Sequence, residues 1–165
     1  MAAGRKLFII VVGCGRMGSY IANRLSHDGH GVVVIDVSES AFGGLSAEFS
    51  GFKMEGDATE FETLKQAKVE KADLVIATTH QDNVNVMVAQ VARHVLHVPK
   101  VIARVFEPKR ERVYRELDIE IISSRAARGL PSSCWRPSRV RSGRGSPLRR
   151  AGAINWRPTC VNRPN

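Results

Sequence analysis

Apolar and polar residues fall along this chain in blocks. Residues 7–12 form an unbroken apolar run, as do Val32-Val33-Val34-Ile35 and Leu74-Val75-Ile76-Ala77, while Val101–Val105 is interrupted by Arg104 alone. Short runs of this kind, rich in β-branched residues and bounded by turn signals, predict strands buried on both faces. Helical spacing fills the intervals. Met17, Ile21 and Leu25 recur at i, i+4 and i+8 and predict a helix ending near His27-Asp28-Gly29. Ser38 is placed to cap a helix reaching about residue 49 with Ala41 and Leu45 inward. Gly43 and Gly44 weaken it by about 1 kcal/mol each if they lie in its interior. A short third strand near Phe52–Glu55 leads into Gly56-Asp57-Ala58-Thr59. There Thr59 and Glu62 make a capping-box pattern that predicts a helix to about Lys68. After the polar turn at 78–83, Val84, Met87 or Val88, Val91 and Val95 repeat at helical spacing. Pro108 suits the first turn of a helix carrying Val113 and Leu117, and a sixth strand follows at 119–122.

Strand and helix thus alternate five times before a closing strand. Strands buried on both faces need helices above and below, so the pattern predicts an α/β fold with a doubly wound parallel sheet of six strands. The link from the first strand to its helix reads Gly13-Cys14-Gly15-Arg16-Met17-Gly18. Glycines at the first, third and sixth positions between a strand and a helix form the phosphate-binding fingerprint of Rossmann-like domains. Gly13 permits the tight turn, Gly15 lets a pyrophosphate approach the backbone, and Gly18 lets the helix pack on the strand. Right-handed crossovers with the fingerprint in the first unit favour strand order 3-2-1-4-5-6.

Charge divides the chain. Residues 1–124 carry 15 Lys and Arg against 16 Asp and Glu, whereas residues 125–165 carry ten Arg and no Lys, Asp or Glu. The net charge of +9 therefore belongs to the last quarter, which argues against a nucleic-acid surface on the patterned part. That last quarter also holds five of the seven prolines and lacks apolar periodicity, so disorder is expected for it. Two readings stand for its origin: the wrong frame of an arginine-codon-rich gene or a damaged end, and a genuine basic arm for nucleic acid or lipid. Sequencing the gene in both frames across codons 120–130 decides between them. The domain expected to fold is 1–124, with 125–165 as an arginine- and proline-rich tail. Cys14, Cys134 and Cys160 are too few and scattered for a disulfide framework or zinc site, and Cys14 reads as a packed, inert thiol. No apolar run approaches the ~20 residues needed to span a bilayer. Without a secretory leader pattern either, the expected location is cytoplasmic.

Several side chains fall at the carboxyl ends of the predicted strands. Asp36 ends the second strand, 18 residues after Gly18, where an acid accepts from the ribose hydroxyls of an adenosine; its other reading is a helix cap. A carboxylate there disfavours a 2′-phosphate, which points to NAD(H) or an adenine nucleotide rather than NADP. Asp57, after the third strand, accepts from the adenine amino group or caps the next helix. Thr78 and Thr79 border the middle or far end of the ligand, or are ordinary turn residues. Arg16 opposes the helix dipole, so it pairs with a phosphate or stays solvated. Arg104 interrupts an apolar strand and needs a partner, either a ligand phosphate or a carboxylate such as Glu107. The five histidines are spread out, and no metal site is expected. A hydride-transfer enzyme needs an acid–base residue and a substrate pocket, usually built by a second domain. The predicted fold takes up the whole patterned region, so no enzyme is expected; the other reading is a small NAD-dependent oxidoreductase, or the cofactor half of one.

Gly13-Cys-Gly-Arg-Met-Gly18, Asp36, Gly56-Asp57-Ala58-Thr59, Ala77-Thr-Thr-His-Gln-Asp-Asn83 and Ala103-Arg-Val105 together resemble the nucleotide-binding domain of the Trk/Ktr potassium-uptake regulators, also called the RCK N-terminal or KTN domain. The resemblance spans residues 6–123. It implies a non-catalytic cytosolic subunit, assembled as dimers into a ring, often of eight, beneath a membrane potassium transporter or channel. Binding of NAD(H), ATP or ADP changes the ring's shape and gates the pore. By the same resemblance the glycine loop with Met17 lines the ligand and Arg16 contacts its phosphate. Asp36 holds the ribose, Asp57 with Ala58 holds the adenine, and Thr78, Asp82, Asn83 and Arg104 also lie at the site. Family members continue into a crossover helix and often a further domain, where this chain has its arginine-rich tail.

Overall fold

The computed structural model describes residues 6–123 and two short strands further on, Ser138–Arg139 and Ile154–Asn155. Six strands form one all-parallel sheet: β1 (Phe8–Val12), β2 (Gly31–Asp36), β3 (Phe52–Glu55), β4 (Leu74–Ala77), β5 (Val101–Val105) and β6 (Glu120–Ser123). Their order is 3-2-1-4-5-6, as the alternating pattern and the fingerprint in the first unit require. The chain divides into two units, Met1–Ser124 and Arg125–Asn165. In the second, β7 (Ser138–Arg139) pairs antiparallel with β8 (Ile154–Asn155). The disorder expected of 125–165 otherwise concerns residues outside the described ones.

The centre of the sheet is dry because the strand residues that meet there are apolar. Ile9, Ile10, Val11, Val32, Val34, Ile35 and Val75 are at most 1% exposed. Burying each stabilises the fold by on the order of 2 kcal/mol relative to exposure. β3 is an edge strand, and its Phe52 and Lys53 are exposed. Helix α1 (Arg16–His27) lays Ile21, Ala22 and Leu25 on the sheet, with Met17 half-buried. α2 (Phe61–Gln66), α3 (Asp82–Gln90) and α4 (Glu111–Glu116) complete the helices. No described helix is long and apolar enough to cross a membrane.

The structure departs from the pattern in four places, each with a local cause. The helix expected from 38 to 49 is a 3-10 turn over Glu39–Gly44, with Phe42 rather than Ala41 or Leu45 buried. Asn23 of α1 ends it by donating to the Gly44 carbonyl and accepting from the Ser46 amide, so Leu45 turns extended. A Cβ on Gly44 would come within 2.9 Å of the Ser19 hydroxyl, so the glycine that weakens a helix here allows the approach. The Thr59–Glu62 capping box does not form. The Thr59 hydroxyl donates to Asp57, and α2 begins two residues later, after Glu60, without a side-chain cap. On α3 the inward residue is Val88 and not Met87; beyond Gln90 the helix widens to a π turn over Val91–Val95, which turns Val95 outward. On α4 the anchor is Tyr114, 2% exposed, while Val113 faces solvent.

The β1–α1 loop is set by steric limits. Gly13 has φ +91°, and a Cβ on it would meet the Thr79 amide nitrogen at 2.8 Å. A Cβ on Gly18 would lie 1.8 Å from the Gly13 carbonyl oxygen. Gly15 differs: its φ is −68° and nothing lies within 4 Å of its missing Cβ. Gly18→Ala should therefore lose about 3 kcal/mol to overpacking, on the order of 10 °C in thermal midpoint. Gly15→Ala should cost less than about 1 kcal/mol, the price of an alanine N-cap. Thermal unfolding followed by circular dichroism compares the two directly; equal losses would refute the steric reading of the loop.

Candidate functional site

The carboxyl ends of β1 and β4 diverge to neighbours on opposite sides, since β1 continues to β2 and β4 to β5. This reversal of strand order opens a crevice beside the glycine loop, where open α/β sheets take their ligands. Gly13 is tied across to β2 through its amide on the Ile35 carbonyl at 2.8 Å. Asp36 completes that tie. Its Oδ2 accepts from the Cys14 amide at 2.6 Å and its Oδ1 from the Ser38 amide at 3.0 Å. The carboxylate thus stiffens both the fingerprint and the turn after β2, while each oxygen keeps a further lone pair for an outside donor. Burial, and then the Asp36 charge, push the Cys14 thiol's pKa up, so this side chain stays a neutral packed thiol.

α1 begins at this loop with Gly15 as its N-cap, no side-chain cap and no acid in its first turn. Its first amide groups and positive dipole end therefore face the crevice without an acid of the helix itself, the nearby Asp36 carboxylate being held on the Cys14 amide. The one side chain added there is a cation. Arg16 is exposed and makes no ion pair among the described residues.

Thr78 and Thr79 lie on the β4 side, with different roles. Thr78 is 3% exposed, and its hydroxyl lies 3.1 Å from both the Val12 and Gly13 carbonyls, so it supports the glycine loop from beneath. Thr79 is half-buried. Its amide and hydroxyl both donate to Asn85 Oδ1, at 2.9 and 2.7 Å. Asp57 and Ala58 follow β3. Asp57 is exposed and its Oδ1 accepts from the Thr59 amide and hydroxyl, which hold its pKa below the ordinary carboxylate value. The Ala58 side chain is buried in the core, so this position offers the crevice its backbone only.

Arg104, near the end of β5, has no carboxylate partner among the described residues. The internal pair with Glu107 does not form: the Glu107 side chain instead accepts from the Lys109 amide. The guanidinium stacks on the Phe106 ring, 4.1 Å from its centroid, and its Nε is buried with no hydrogen-bond partner. Burial pushes its pKa down, followed by the charge of Arg16; Asp82 opposes both. Two cations from opposite sides of the crevice are thus close enough to repel. An orphaned donor, an uncapped helix start and a glycine with no internal reason to be glycine all fit one occupant, an anionic group carried by a flat or extended molecule.

Two residues of this region, Asn85 and Tyr114, escape the sequence reading, while Asp82 is placed at the site by the resemblance alone. Asn85 is fully buried, Asp82 is 8% exposed, and the Tyr114 hydroxyl donates to the Asp82 carbonyl at 2.8 Å. The available signal was phase. Asp82 and Asn85 share the helical face that continues through Val88, Ala89 and Ala92, so they are polar residues at core positions. His80 and Asn83 are exposed.

The Asp57–Thr59 turn makes a direct test. Thr59→Val removes the hydroxyl bond and should raise the Asp57 pKa toward its ordinary value, as read by carboxyl-carbon NMR titration. The sign follows from linkage: a depressed folded pKa contributes stability above the unfolded value, lost as pH falls through the folded one. An unmoved Asp57 pKa would show that the backbone amide alone sets it.

The comparisons with known proteins agree with the fold. The TrkA-N domain family model matches residues 9–125. Over 118 residues the chain is 36% identical to the Trk system potassium uptake protein TrkA of Streptomyces coelicolor, covering 72% of this chain and 53% of that protein. The chain thus spans about half the length of that relative. Two solved structures share the fold. The Shewanella denitrificans Kef C-terminal domain in AMP-bound form has a TM-score of 0.61 at 20% identity, over 71% of each chain. The GsuK channel bound to NAD has a TM-score of 0.61 at 19% identity, over 74% of this chain and 22% of that one. With its parallel six-stranded sheet, its glycine loop and the family match across nearly all of the described domain, the chain belongs to the TrkA-N domain family.

Proposed function

We propose that residues 1–124 form a nucleotide-sensing regulatory domain of a potassium transport system, binding NAD(H) or ATP/ADP and carrying out no chemistry on them. The observation that carries this reading is the Arg104 Nε, buried without a hydrogen-bond partner, together with the exposed Arg16 beside an open glycine and an uncapped helix start. An adenine nucleotide supplies the anion they lack. In this reading the backbone of 13–18, with Met17, lines the pyrophosphate and Arg16 and Arg104 neutralise it. Asp36 accepts from the ribose, Asp57 and the Ala58 backbone face the adenine, and Thr78 and Thr79 support the near edge. The adenosine monophosphate common to AMP and NAD is what the two solved relatives hold, which supports placing it here.

Regulation follows if the ligand binds two arrangements of an assembly unequally. The Streptomyces relative is named a potassium uptake protein, so the proposed partner is a membrane potassium transporter or channel subunit. The proposed assembly is a homo-oligomer, a dimer or a ring of eight, on the cytoplasmic face.

Calorimetric titration of the purified chain with NADH, NAD, ATP and ADP, alongside an assay of NADH oxidation against small carbonyl substrates, tests the reading. Nucleotide binding without turnover is expected. Substrate-dependent oxidation of NADH would overturn it in favour of an oxidoreductase. Asp36→Ala should weaken every adenine nucleotide about tenfold or more, since a charged hydrogen-bond acceptor is lost. The domain should stay folded by circular dichroism, and unchanged affinity would remove Asp36 from the site.

A further inference from the structure

The two polar residues buried on α3 do more than fill the core. The Asn85 amide uses every bond it can make. Its Oδ1 accepts from the Thr79 amide and hydroxyl, and its Nδ2 donates to the Thr79 carbonyl at 3.1 Å and the Arg104 carbonyl at 3.1 Å. Because the Thr79 N–H can only donate, the orientation of the amide is settled. One turn earlier, Asp82 accepts from the Phe106 amide at 2.8 Å and the Glu107 amide at 3.1 Å. Positions 82 and 85 share a helix face, so both reach the same neighbour, residues 104–107 at the end of β5.

We propose that Asp82 and Asn85 are positioning residues that clamp residues 104–107 to α3 and so hold the Arg104 guanidinium ready for the ligand's phosphates. The proposal rests on the nucleotide reading above. Asn85 fixes the Arg104 carbonyl, and Asp82 fixes the amide of Phe106, whose ring is the surface on which the guanidinium lies. Asp82 also holds the Glu107 amide, and the Glu107 carboxylate is turned to the Lys109 amide, so the nearest acid in sequence does not quench the cation. Tyr114 of α4 steadies the clamp by donating to the Asp82 carbonyl, and burial keeps its phenol protonated as that donor. A long side chain oriented before binding loses less freedom on binding, so the clamp raises affinity without touching the ligand. Asn85 joins Thr79 to the same unit, so the turn after β4 and the end of β5 are tied together on one side of the crevice.

The test separates phosphate contacts from adenosine contacts. Phe106→Leu removes the stacking surface at a 41% exposed position, and Asn85→Ser removes the amide. With ADP and adenosine as probes in NMR titrations, each variant should weaken ADP about tenfold, the scale of one side chain's lost preorganisation. Adenosine affinity should stay unchanged. In an Arg104→Ala background neither variant should cost anything further. If Asn85→Ser fails to fold, Phe106→Leu carries the same comparison. Equal weakening of both probes, or losses that add to that of Arg104→Ala, would overturn the clamp while leaving the nucleotide reading intact. A wild-type chain that binds neither probe would overturn both.

Discussion

The contact on which the rest depends is the one between the start of α1 and the end of β1. A Cβ on Gly18 would sit 1.8 Å from the Gly13 carbonyl, and the Thr78 hydroxyl, 3.1 Å from that same carbonyl, occupies the remaining gap. The helix therefore starts as close to the strand as backbone atoms allow. That closeness turns its free amide groups toward the crevice without a side chain in between. It also explains why a small hydroxyl residue must follow β4, because a larger side chain at 78 would push α1 off the sheet. The tie from Asp36 to the Cys14 amide then fixes the loop from the β2 side.

Electrostatics decides what such a cradle accepts. A packed core tolerates a guanidinium only with a partner, and the described part of this molecule holds one whose Nε is buried without any. It sits instead against an aromatic face with a second cation within range. Cation–aromatic stacking is worth about 0.5–2 kcal/mol, which compensates part of the desolvation of a guanidinium, while the Asp82 charge offsets part of the effect of Arg16. An arrangement of that kind is costly in a site with only a structural role. It fits the tendency of proteins to concentrate unfavourable polar arrangements where a ligand relieves them.

Much of the fold was legible because its strands say one thing at every level. The runs at β1, β2 and β4 are apolar, rich in β-branched residues and bounded by turn signals, so no competing structure suits them, and strand order follows from crossover handedness and the fingerprint. The helices were less legible where tertiary contacts outweighed local signals. Thr59 had two acceptable partners, and Asp57 was nearer than the N-terminus of α2. Asn23 cut short the turn at 39–44 from a distance of 21 residues. In the site, Gly13, Gly15, Gly18, Arg16 and Asp36 could be placed by motif spacing, since a strand-to-helix turn puts them at one sheet edge. Asp82 was reached only through the resemblance and Asn85 not at all, because their contacts arise between α3 and β5, a pairing that spacing within one unit does not encode.

The two arginines have a mechanical consequence. Arg16 rides on α1, which belongs with β1, β2 and β3, and Arg104 closes β5, which belongs with β4 and β6. In the sheet these halves meet along one seam, the β1–β4 ladder from Ile9–Leu74 to Val12–Ala77. An anion shared by both arginines would be a second fastening across that seam, at its open end. Ligation would then brace the domain against shear between its halves, a change in stiffness that an attached partner could feel even if no backbone atom moved far.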